Sequence, residues 1–376
     1  MRKLAAHYIF DGNDFIKNGM LTLTDDGEVI SLSEFNPNKE SANLEFINGI
    51  VCPGFVNAHC HLELSWLKGK LNHGGGMESF IEQMKRIERT IDEKKIEQAF
   101  LADLEMWDEG ISACADIVNS SLTWELKKKS RIYYHNFIEL YSLDESQAEQ
   151  VFYNGVRLYN KFNGFHRSIT YHAPYSVSFP LHQKISDFNN FGANLVSVHS
   201  FEAKNEAKMF QQWQSGEWKN DQNPTLTFLK QIPQNNKVLF VHNTFINEAS
   251  FDELRTHFNQ RAWVLCPSSN LFIENTLPPL MLLFNDKENI CIGTDSYASN
   301  KRLSILNEIR LLSKHYPNVE LKDWLRMATS QGAKALGIQD KYGSFTVGAK
   351  PGVIALINVD LLNLKLTDET YIKRIK

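Results

Sequence analysis

The segment GFVNAHCH, residues 54–61, joins an apolar run to two histidines, His59 and His61. Three other apolar runs also end in a side chain that can bind a metal. They are NLVSVH at 194–199, KVLFVH at 237–242 and NICIGTD at 289–295, which end at His199, His242 and Asp295. Short apolar runs rich in β-branched residues are typical of buried strands. Because the carboxyl ends of parallel strands lie on one face of a fold, we expect these five side chains to converge.

Apolar runs alternate with longer polar stretches from about residue 51 onward, which is the pattern of repeated βα units. The stretch 78–95, for example, spaces Phe80, Met84, Ile87 and Ile91 along one helical face and predicts a surface helix. Strands separated in this way favour an α/β fold of the (β/α)₈ TIM barrel type over a doubly wound sheet. The predicted strands are 51–58, 112–117, 131–138, 168–172, 194–199, 237–242, 262–266 and 289–294.

Both ends of the chain differ from this pattern. The first fifty residues hold short alternating runs separated by the turn sequences DGND and DDGE, and the tail GSFTVGAKPGVIALINVD contains short strands and Gly/Pro turns. We therefore predict a small composite β-sandwich domain formed by residues 1–50 and 340–376. The barrel is predicted to occupy residues 51–339.

The composition excludes several classes of protein. Lys+Arg (40) nearly balance Asp+Glu (44), and the net charge of −4 argues against a nucleic-acid partner or an anionic membrane surface. The five cysteines are scattered without C-x-x-C spacing, as expected for reduced thiols. The first residues lack the apolar core of a signal peptide, and no run approaches about 18 apolar residues. A cytoplasmic protein is therefore expected, and its oligomeric state, with a homodimer as one option, is left open.

The residue types at the four strand ends suit a transition metal. His59 and His61 are separated by one residue, so on a strand both imidazoles project to the same side. Three neutral imidazoles and one carboxylate suit Zn²⁺, or a similar ion such as Fe²⁺, whereas Mg²⁺ and Ca²⁺ prefer more oxygen ligands. The triplet His61-Leu62-Glu63 also matches the H-x-E motif of cytidine-type zinc deaminases. That alternative is rejected because the chain lacks their P-C-x-x-C motif.

Carboxylates near these strand ends are candidates for proton transfer. Glu202 follows His199 by three residues, and a glutamate in a cleft beside a metal can carry protons to a leaving group, so Glu202 is predicted to be catalytic. His172 ends the fourth predicted strand and is predicted to contact the substrate. Asp116 and Glu139 lie near the ends of the second and third strands with no motif around them, and functional and structural roles stay equally open.

Six motifs in this order resemble the amidohydrolase superfamily, in its aminohydrolase and chlorohydrolase branch. The motifs are PGFVNAHCHLELS, YHAPYSVS, HSFE, VHNTF, CPSSN and IGTDSYASN. The resemblance implies one metal ion held by His59, His61, His199 and Asp295. It also implies that His242 hydrogen-bonds the metal-bound water, that Glu202 shuttles protons and that His172 contacts the substrate.

The chain departs from this family pattern in places. The fourth predicted strand ends in His172 with no lysine, so the carboxylated lysine that bridges two metals in binuclear members is absent. The tail reads KPGVIALI where relatives usually carry an aspartate, and Ser268 stands where many relatives have a basic residue. The site is therefore expected to hold one metal, without the basic contact to an anionic substrate.

The resembling enzymes hydrolyse a substituent from an sp² ring carbon. A leaving amine needs a proton, which a carboxylic acid supplies and a second metal does not, so hydrolytic deamination is favoured over amide or phosphoester hydrolysis. Triazine dechlorination and a binding barrel without activity are the alternatives. The stretches HLELSWLKGKL and HSFEAKNEAKMFQQWQSGEW are most similar to 6-amino-6-deoxyfutalosine deaminases. Deamination of S-adenosylhomocysteine, methylthioadenosine or guanine is the next alternative for the reaction.

The predicted substrate is a small heterocycle, specifically a 6-aminopurine nucleoside with a bulky 5′ substituent. The predicted substrate contacts are His172, Glu63, Trp66 and Ser296. Four cations, Lys68, Lys204, Lys208 and Arg302, are candidates to meet a carboxylate on the substituent, and the segment 74–76 is a candidate lid.

Overall fold

The computed structural model describes residues 1–35, 43–88, 90–214, 218 and 221–376, and shows a mixed α/β fold with parallel sheets. The described strands are β1 (Arg2–Phe10), β2 (Phe15–Leu23), β3 (Val29–Glu34), β4 (Leu44–Pro53), β5 (Phe55–Cys60), β6 (Ile111–Val118), β7 (Tyr133–Leu140), β8 (His166–Tyr171), β9 (Leu195–Ser200), β10 (Lys237–His242), β11 (Arg261–Leu265), β12 (Ile290–Ile292), β13 (Val353–Ile357) and β14 (Tyr371–Arg374).

Helices connect most of these strands. The α-helices are α1 (Gly76–Lys85), α2 (Glu93–Asp108), α3 (Trp124–Lys127), α4 (Ala148–Lys161), α5 (Phe179–Asn190), α6 (Glu206–Trp213), α7 (Pro224–Lys230), α8 (Glu248–His257), α9 (Pro267–Glu274), α10 (Leu280–Leu283), α11 (Ile305–His315), α12 (Leu321–Ala328) and α13 (Ser330–Leu336). Short 3₁₀ helices cover Leu62–Leu67, Glu145–Gln147, Pro174–Ser176 and Phe284–Asn289.

Two four-stranded parallel sheets form the centre of the fold. One has the order β5-β6-β7-β8 and the other the order β12-β11-β10-β9, with parallel pairing throughout. Every residue of β5, β6 and β12 is buried. Continuous burial of this kind is typical of parallel strands that are covered on both faces, which explains why their sequences are apolar runs without alternation.

Polar contacts join the two parallel sheets at both of their edges. Between β5 and β12, the Asn57 amide donates to Thr294 Oγ1 at 2.8 Å, and Cys60 forms an isolated parallel bridge with Asp295. Between β8 and β9, the backbone N–H of His199 donates to the carbonyl of His172 at 2.9 Å. These contacts bring the carboxyl ends of the eight strands to one face of the molecule.

A third sheet combines strands from both ends of the chain, in the order β14-β13-β4-β1-β2-β3. The C-terminal strand β13 pairs with β4 antiparallel, and Ile354 lies opposite Cys52. The short runs separated by turn sequences in residues 1–50 predict a small antiparallel unit, and this prediction is only partly right, because β1 and β4 pair parallel. The division into domains at 1–50, 51–339 and 340–376 stays a prediction.

Two of the predicted elements each correspond to two separate elements in the structure. The predicted strand 51–58 is in fact the end of β4 and the start of β5, which belong to different sheets. Gly54 separates them, and a Cβ there would lie 1.9 Å from the Ser112 hydroxyl, so only glycine permits this close approach. The predicted helix 78–95 is two helices, because the Asp92 side chain accepts a hydrogen bond from Lys95 N and starts α2 as its N-cap. Residue 89, within that prediction, lies outside the described residues.

Candidate active site

The five side chains predicted from the apolar runs meet at the carboxyl ends of the parallel strands. Nitrogen and oxygen atoms of His59, His61 and Asp295 all lie within 4.8 Å of one another, and so do those of His59, His199 and His242. The Nε2 atoms of His59 and His61 are 3.2 Å apart, and Asp295 Oδ1 is 3.6 Å from His61 Nε2. The cluster is buried, with each of these residues less than a tenth exposed.

The backbone and two serines fix Asp295 beside the histidines. The carbonyl of His59 accepts hydrogen bonds from Thr294 N and Asp295 N, both at 3.0 Å. The hydroxyls of Ser269 and Ser299 donate to Asp295 Oδ2 at 2.6 and 2.7 Å. Since Oδ2 is held in this way, Oδ1 is the oxygen that faces the imidazoles.

Neighbouring groups also orient two of the imidazoles. His199 Nδ1 lies 2.8 Å from the carbonyl of His172, which leaves Nε2 for a metal when Nδ1 carries the proton. His242 Nδ1 lies 3.3 Å from the Asn270 side-chain amide, whose nitrogen also donates to Thr244 Oγ1. An imidazole that accepts at Nδ1 carries its proton at Nε2, the atom that faces the cluster.

Two residues of the cluster have strained backbones. His242 has a φ of 74° and Asp295 has a φ of 56°, and both values lie in the left-handed region that residues other than glycine rarely adopt. Such strain costs about 1–3 kcal/mol per residue and persists only where the surrounding structure enforces it. Its presence at the carboxyl ends of both β10 and β12 indicates that these side chains are positioned for function.

The electrostatics of the cluster suit a cation. Burial, with the neighbouring histidines, holds the pKa of His59 well below its ordinary value, and burial lowers the pKa of His242 to about 3. Burial also opposes the ionisation of Asp295, but interactions with His61 and His242 and the hydrogen bonds from Ser269 and Ser299 together outweigh it and lower the pKa of the carboxyl. Neutral imidazoles beside an ionised carboxylate are the donors that a divalent transition metal requires, so the residues fit such a metal.

Glu202 lies beside this cluster and is 5% exposed. Its Oε1 accepts a hydrogen bond from the Tyr175 hydroxyl, and its Oε2 is 3.6 Å from His242 Nε2. Its backbone N–H donates to Glu206 at 2.8 Å, which fixes the loop after β9. Burial raises the pKa of Glu202 to about 8, although the Tyr175 hydroxyl acts in the opposite direction. A carboxyl group with this pKa exchanges its proton near neutral pH.

Comparison with known protein families identifies the chain. The model of the amidohydrolase family matches residues 50–370, which is most of the molecule. The chain belongs to the amidohydrolase family. The cluster of histidines and Asp295 lies within the matched part of this amidohydrolase.

Individual relatives of this amidohydrolase include deaminases. It is 26% identical over 335 residues to a 5-methylthioadenosine/S-adenosylhomocysteine deaminase of Pyrococcus abyssi, which covers 84% of this chain and 76% of the relative. The Helicobacter pylori aminofutalosine deaminase in complex with methylthio-coformycin has a similar fold, with a TM-score of 0.81, 19% identity and full coverage of both chains. A zinc-bound adenosine deaminase of Xanthomonas campestris gives a TM-score of 0.78 at 20% identity, with 96% of this chain and 88% of that chain covered.

A cavity opens above the cluster, and α1 forms part of its wall. His61, His199, His242, Asp295 and Glu202 line its inner part. The predicted lid segment 74–76 leads directly into α1, which has Gly75 as its N-cap. The residues of α1 that line the cavity are Met77, Phe80, Ile81, Met84 and Lys85.

The predicted substrate contacts divide into two groups. His172 and Ser296 line the cavity. Glu63 and Trp66 are not among the described residues that line it. The Glu63 carboxylate accepts hydrogen bonds from the backbone of Asn119 and from Ser120, and the Trp66 ring lies against the ammonium groups of two lysines. Both follow β5 on the short helix Leu62–Leu67, which turns their side chains away from the cavity.

Asp116 and Glu139, the two carboxylates whose roles were left open, lie in different surroundings. Asp116 is fully buried and forms an ion pair with Lys127, and it also accepts a hydrogen bond from Leu62 N at 2.7 Å. It therefore supports the turn after His61. Glu139, in contrast, lines the cavity and lies 3.7 Å from His199 Nδ1.

Sequence reasoning missed several residues of the site. Ser269 and Asn270, which contact Asp295 and His242, belong to the CPSSN motif, so their signal was present but no role was assigned to them. Of the predicted cations, Lys68 and Arg302 pair with Glu105 and Glu109 outside the cavity. Lys204 and Lys208 are exposed and are absent from the described lining, whereas Lys85 belongs to it.

Proposed function

We propose that this amidohydrolase removes the 6-amino group from an adenine nucleoside that carries a substituent at the 5′ position. The family and its deaminase relatives make the protein a hydrolase that acts on C–N bonds. One observation carries the proposal further, namely the placement of Glu202. It is a buried carboxyl, with a pKa raised to about 8 in the metal-free chain, that lines the same cavity as the metal-binding cluster.

One divalent metal ion is proposed to bind at the cluster, with His59, His61, His199 and Asp295 as its ligands. Zinc is favoured, because the zinc-bound neighbour shares the fold and the donors are nitrogen-rich, and Fe²⁺ is the alternative. When bound, the metal lowers the pKa of a water molecule toward about 7 and makes it nucleophilic.

The chain itself then orients the water and moves the protons. Asp295 and His242 flank the place of the attacking water and hold it toward C6 of the purine. Glu202 delivers a proton to the ring nitrogen next to C6, so that negative charge does not build up there. As the C6–O bond forms, the water gives one proton to the Glu202 carboxylate, which has just lost its own, and the resulting C6 hydroxyl then gives up the second to the Asp295 carboxylate. One of these protons passes to the amino nitrogen, the bond from C6 to that nitrogen breaks and ammonia leaves, while the proton on the ring nitrogen stays in the product.

The substrate proposed first is 6-amino-6-deoxyfutalosine, followed by methylthioadenosine and S-adenosylhomocysteine. The cavity above the cluster extends along α1 as far as Lys85, which supports a nucleoside with a 5′ substituent over a free base such as guanine. A nucleoside uses binding energy far from the reacting carbon to position the ring, which a free base lacks.

We also propose an overall architecture for the fold around the site. The two parallel sheets joined through Asn57 and His199 are interpreted as one closed (β/α)₈ barrel, with the third sheet as a composite β domain. Among the described residues, no helix has the length and apolar character needed to span a membrane. A cytoplasmic location and a homodimer stay predictions.

A panel of substrates tests this function. Protein loaded with zinc is assayed for ammonia release from aminodeoxyfutalosine, methylthioadenosine, S-adenosylhomocysteine, adenosine, adenine and guanine. We expect the highest kcat/KM with a 5′-substituted nucleoside. If a free base is the best substrate, the nucleoside assignment is wrong, although a deaminase remains.

A further inference from the structure

Helix α1 is attached to the rest of the protein near its first turn. The backbone N–H of Met77 donates to the Glu274 carboxylate at 2.9 Å, and the N–H of Gly74 donates to the carbonyl of Phe272 at 2.9 Å. The Asn205 amide donates to Glu78 at 2.7 Å and connects α1 to the loop that carries Glu202. These bonds hold the helix across one side of the cavity.

A line of contacts runs outward from Glu202 to the last residue of α1. Tyr175 donates its hydroxyl hydrogen to Glu202, and its ring centroid is 5.9 Å from that of Trp213. The Lys85 ammonium lies 5.6 Å from the centroid of the Trp213 ring. Gln214 fixes this arrangement, because its side-chain amide donates to the carbonyls of Pro174 and Val177 on either side of Tyr175.

Helix α1 gives the cavity a largely apolar wall that ends at Lys85. Phe80, Ile81 and Met84 of α1 face the same space as Leu143 and Ile273 from other parts of the chain. Lys85 is exposed at the rim, and within the described part of the chain it has no ion-pair partner. An apolar wall that ends at an exposed ammonium suits a ligand that is apolar along its length and anionic at its tip.

We propose that α1 and Trp213 form a second subsite, which binds an apolar 5′ arm of the nucleoside, and that Lys85 pairs with a carboxylate at the end of this arm. The inference rests on the proposed function and names the substrate class within it. An arm with both an ammonium and a carboxylate group fits less well, because its ammonium is desolvated by the apolar wall and repelled by Lys85.

Substitutions in α1 test the subsite through the dependence of kcat/KM on the arm. Lys85→Met is expected to lower kcat/KM for aminodeoxyfutalosine, whose arm ends in a carboxylate, by about 5- to 30-fold, with Lys85→Arg restoring most of it. The kcat/KM for methylthioadenosine, which has no charge on its arm, should change by less than about twofold in Lys85→Met. Lys94→Met, at an exposed lysine of α2 outside the described cavity lining, is the matched control and should change neither.

The apolar wall is tested separately. Phe80→Ala and Met84→Gln are expected to weaken the binding of methylthio-coformycin by about 10-fold, while the affinity for coformycin, which lacks the methylthio group, stays within about threefold. Thermal melting confirms that the variants fold. Equal losses for both inhibitors, or an unchanged ratio between the charged and uncharged substrates in Lys85→Met, would overturn the subsite while leaving the deaminase intact. If the zinc-loaded wild type deaminates no nucleoside at all, the proposed function itself fails.

Discussion

Replacement of Glu202 by glutamine removes one titrating group and preserves the size and shape of the side chain. In the chain without bound metal, the pKa of about 8 means that about nine in ten Glu202 side chains are protonated at pH 7. At the ordinary value of 4.5, only about one in three hundred would be. Burial therefore makes the acid form abundant at neutral pH in the metal-free chain. Glutamine keeps the shape and accepts the Tyr175 hydrogen bond, but it has no proton to transfer.

We expect Glu202→Gln to lower kcat by about 10²–10⁴-fold, the usual contribution of a general acid or base. The assay is ammonia release at saturating nucleoside, with metal content and thermal melting measured on the same samples. The matched control is Glu206→Gln, because Glu206 is another buried glutamate of raised pKa that is absent from the described cavity lining, and it should lose at most about tenfold. A Glu202→Gln protein that retains more than about a third of the wild-type kcat, with full metal content, would refute the assignment.

Three further predictions follow from the same geometry. His61→Ala should remove the metal, and elemental analysis that finds full occupancy, or two ions per wild-type chain, would contradict the single site. Lys127→Met should lower the free energy of unfolding by about 3–5 kcal/mol, measured by urea denaturation, because it leaves the Asp116 carboxylate buried without its partner; a change below about 1 kcal/mol would show that the pair contributes little. In metal-free protein the pKa of Glu202 is higher in the folded state than in the unfolded state, so this group makes stability fall as pH rises from about 5 to 8. This fall in stability should be smaller in Glu202→Gln than in the wild type. Equal slopes of unfolding free energy against pH in the two proteins would contradict this prediction.

The metal-binding cluster was predictable because its signal is local. Each ligand closes an apolar run, and a parallel fold places the ends of such runs on one face whatever their separation in sequence. The strand that carries His199 was predicted at 194–199 and is found at Leu195–Ser200. The hydrogen bond from Asn57 to Thr294 joins the two parallel sheets between β5 and β12. It was not predictable from the sequence, because an amide inside an apolar run has no distinctive pattern.

The lining of the cavity was harder to predict because it depends on where the chain goes after each strand ends. Trp66 is only five residues beyond His61, yet the short helix between them directs its ring toward Lys70 and Lys95. Lys85 is much further along the chain, yet α1 brings it to the rim of the cavity. Distance in sequence from a predicted metal ligand is therefore a poor guide to whether a residue lines the cavity.

The most direct test of the proposed deamination is the fate of the oxygen atom. Zinc-loaded protein is incubated with a 5′-substituted adenine nucleoside in water enriched in ¹⁸O, and the product is analysed by mass spectrometry together with the ammonia released. We predict a hypoxanthine nucleoside that carries one ¹⁸O at C6, with one ammonia for each molecule formed. An intact adenine ring, or cleavage of the nucleoside at its glycosidic bond, would contradict the proposal that the histidine cluster and Glu202 act on the 6-amino group.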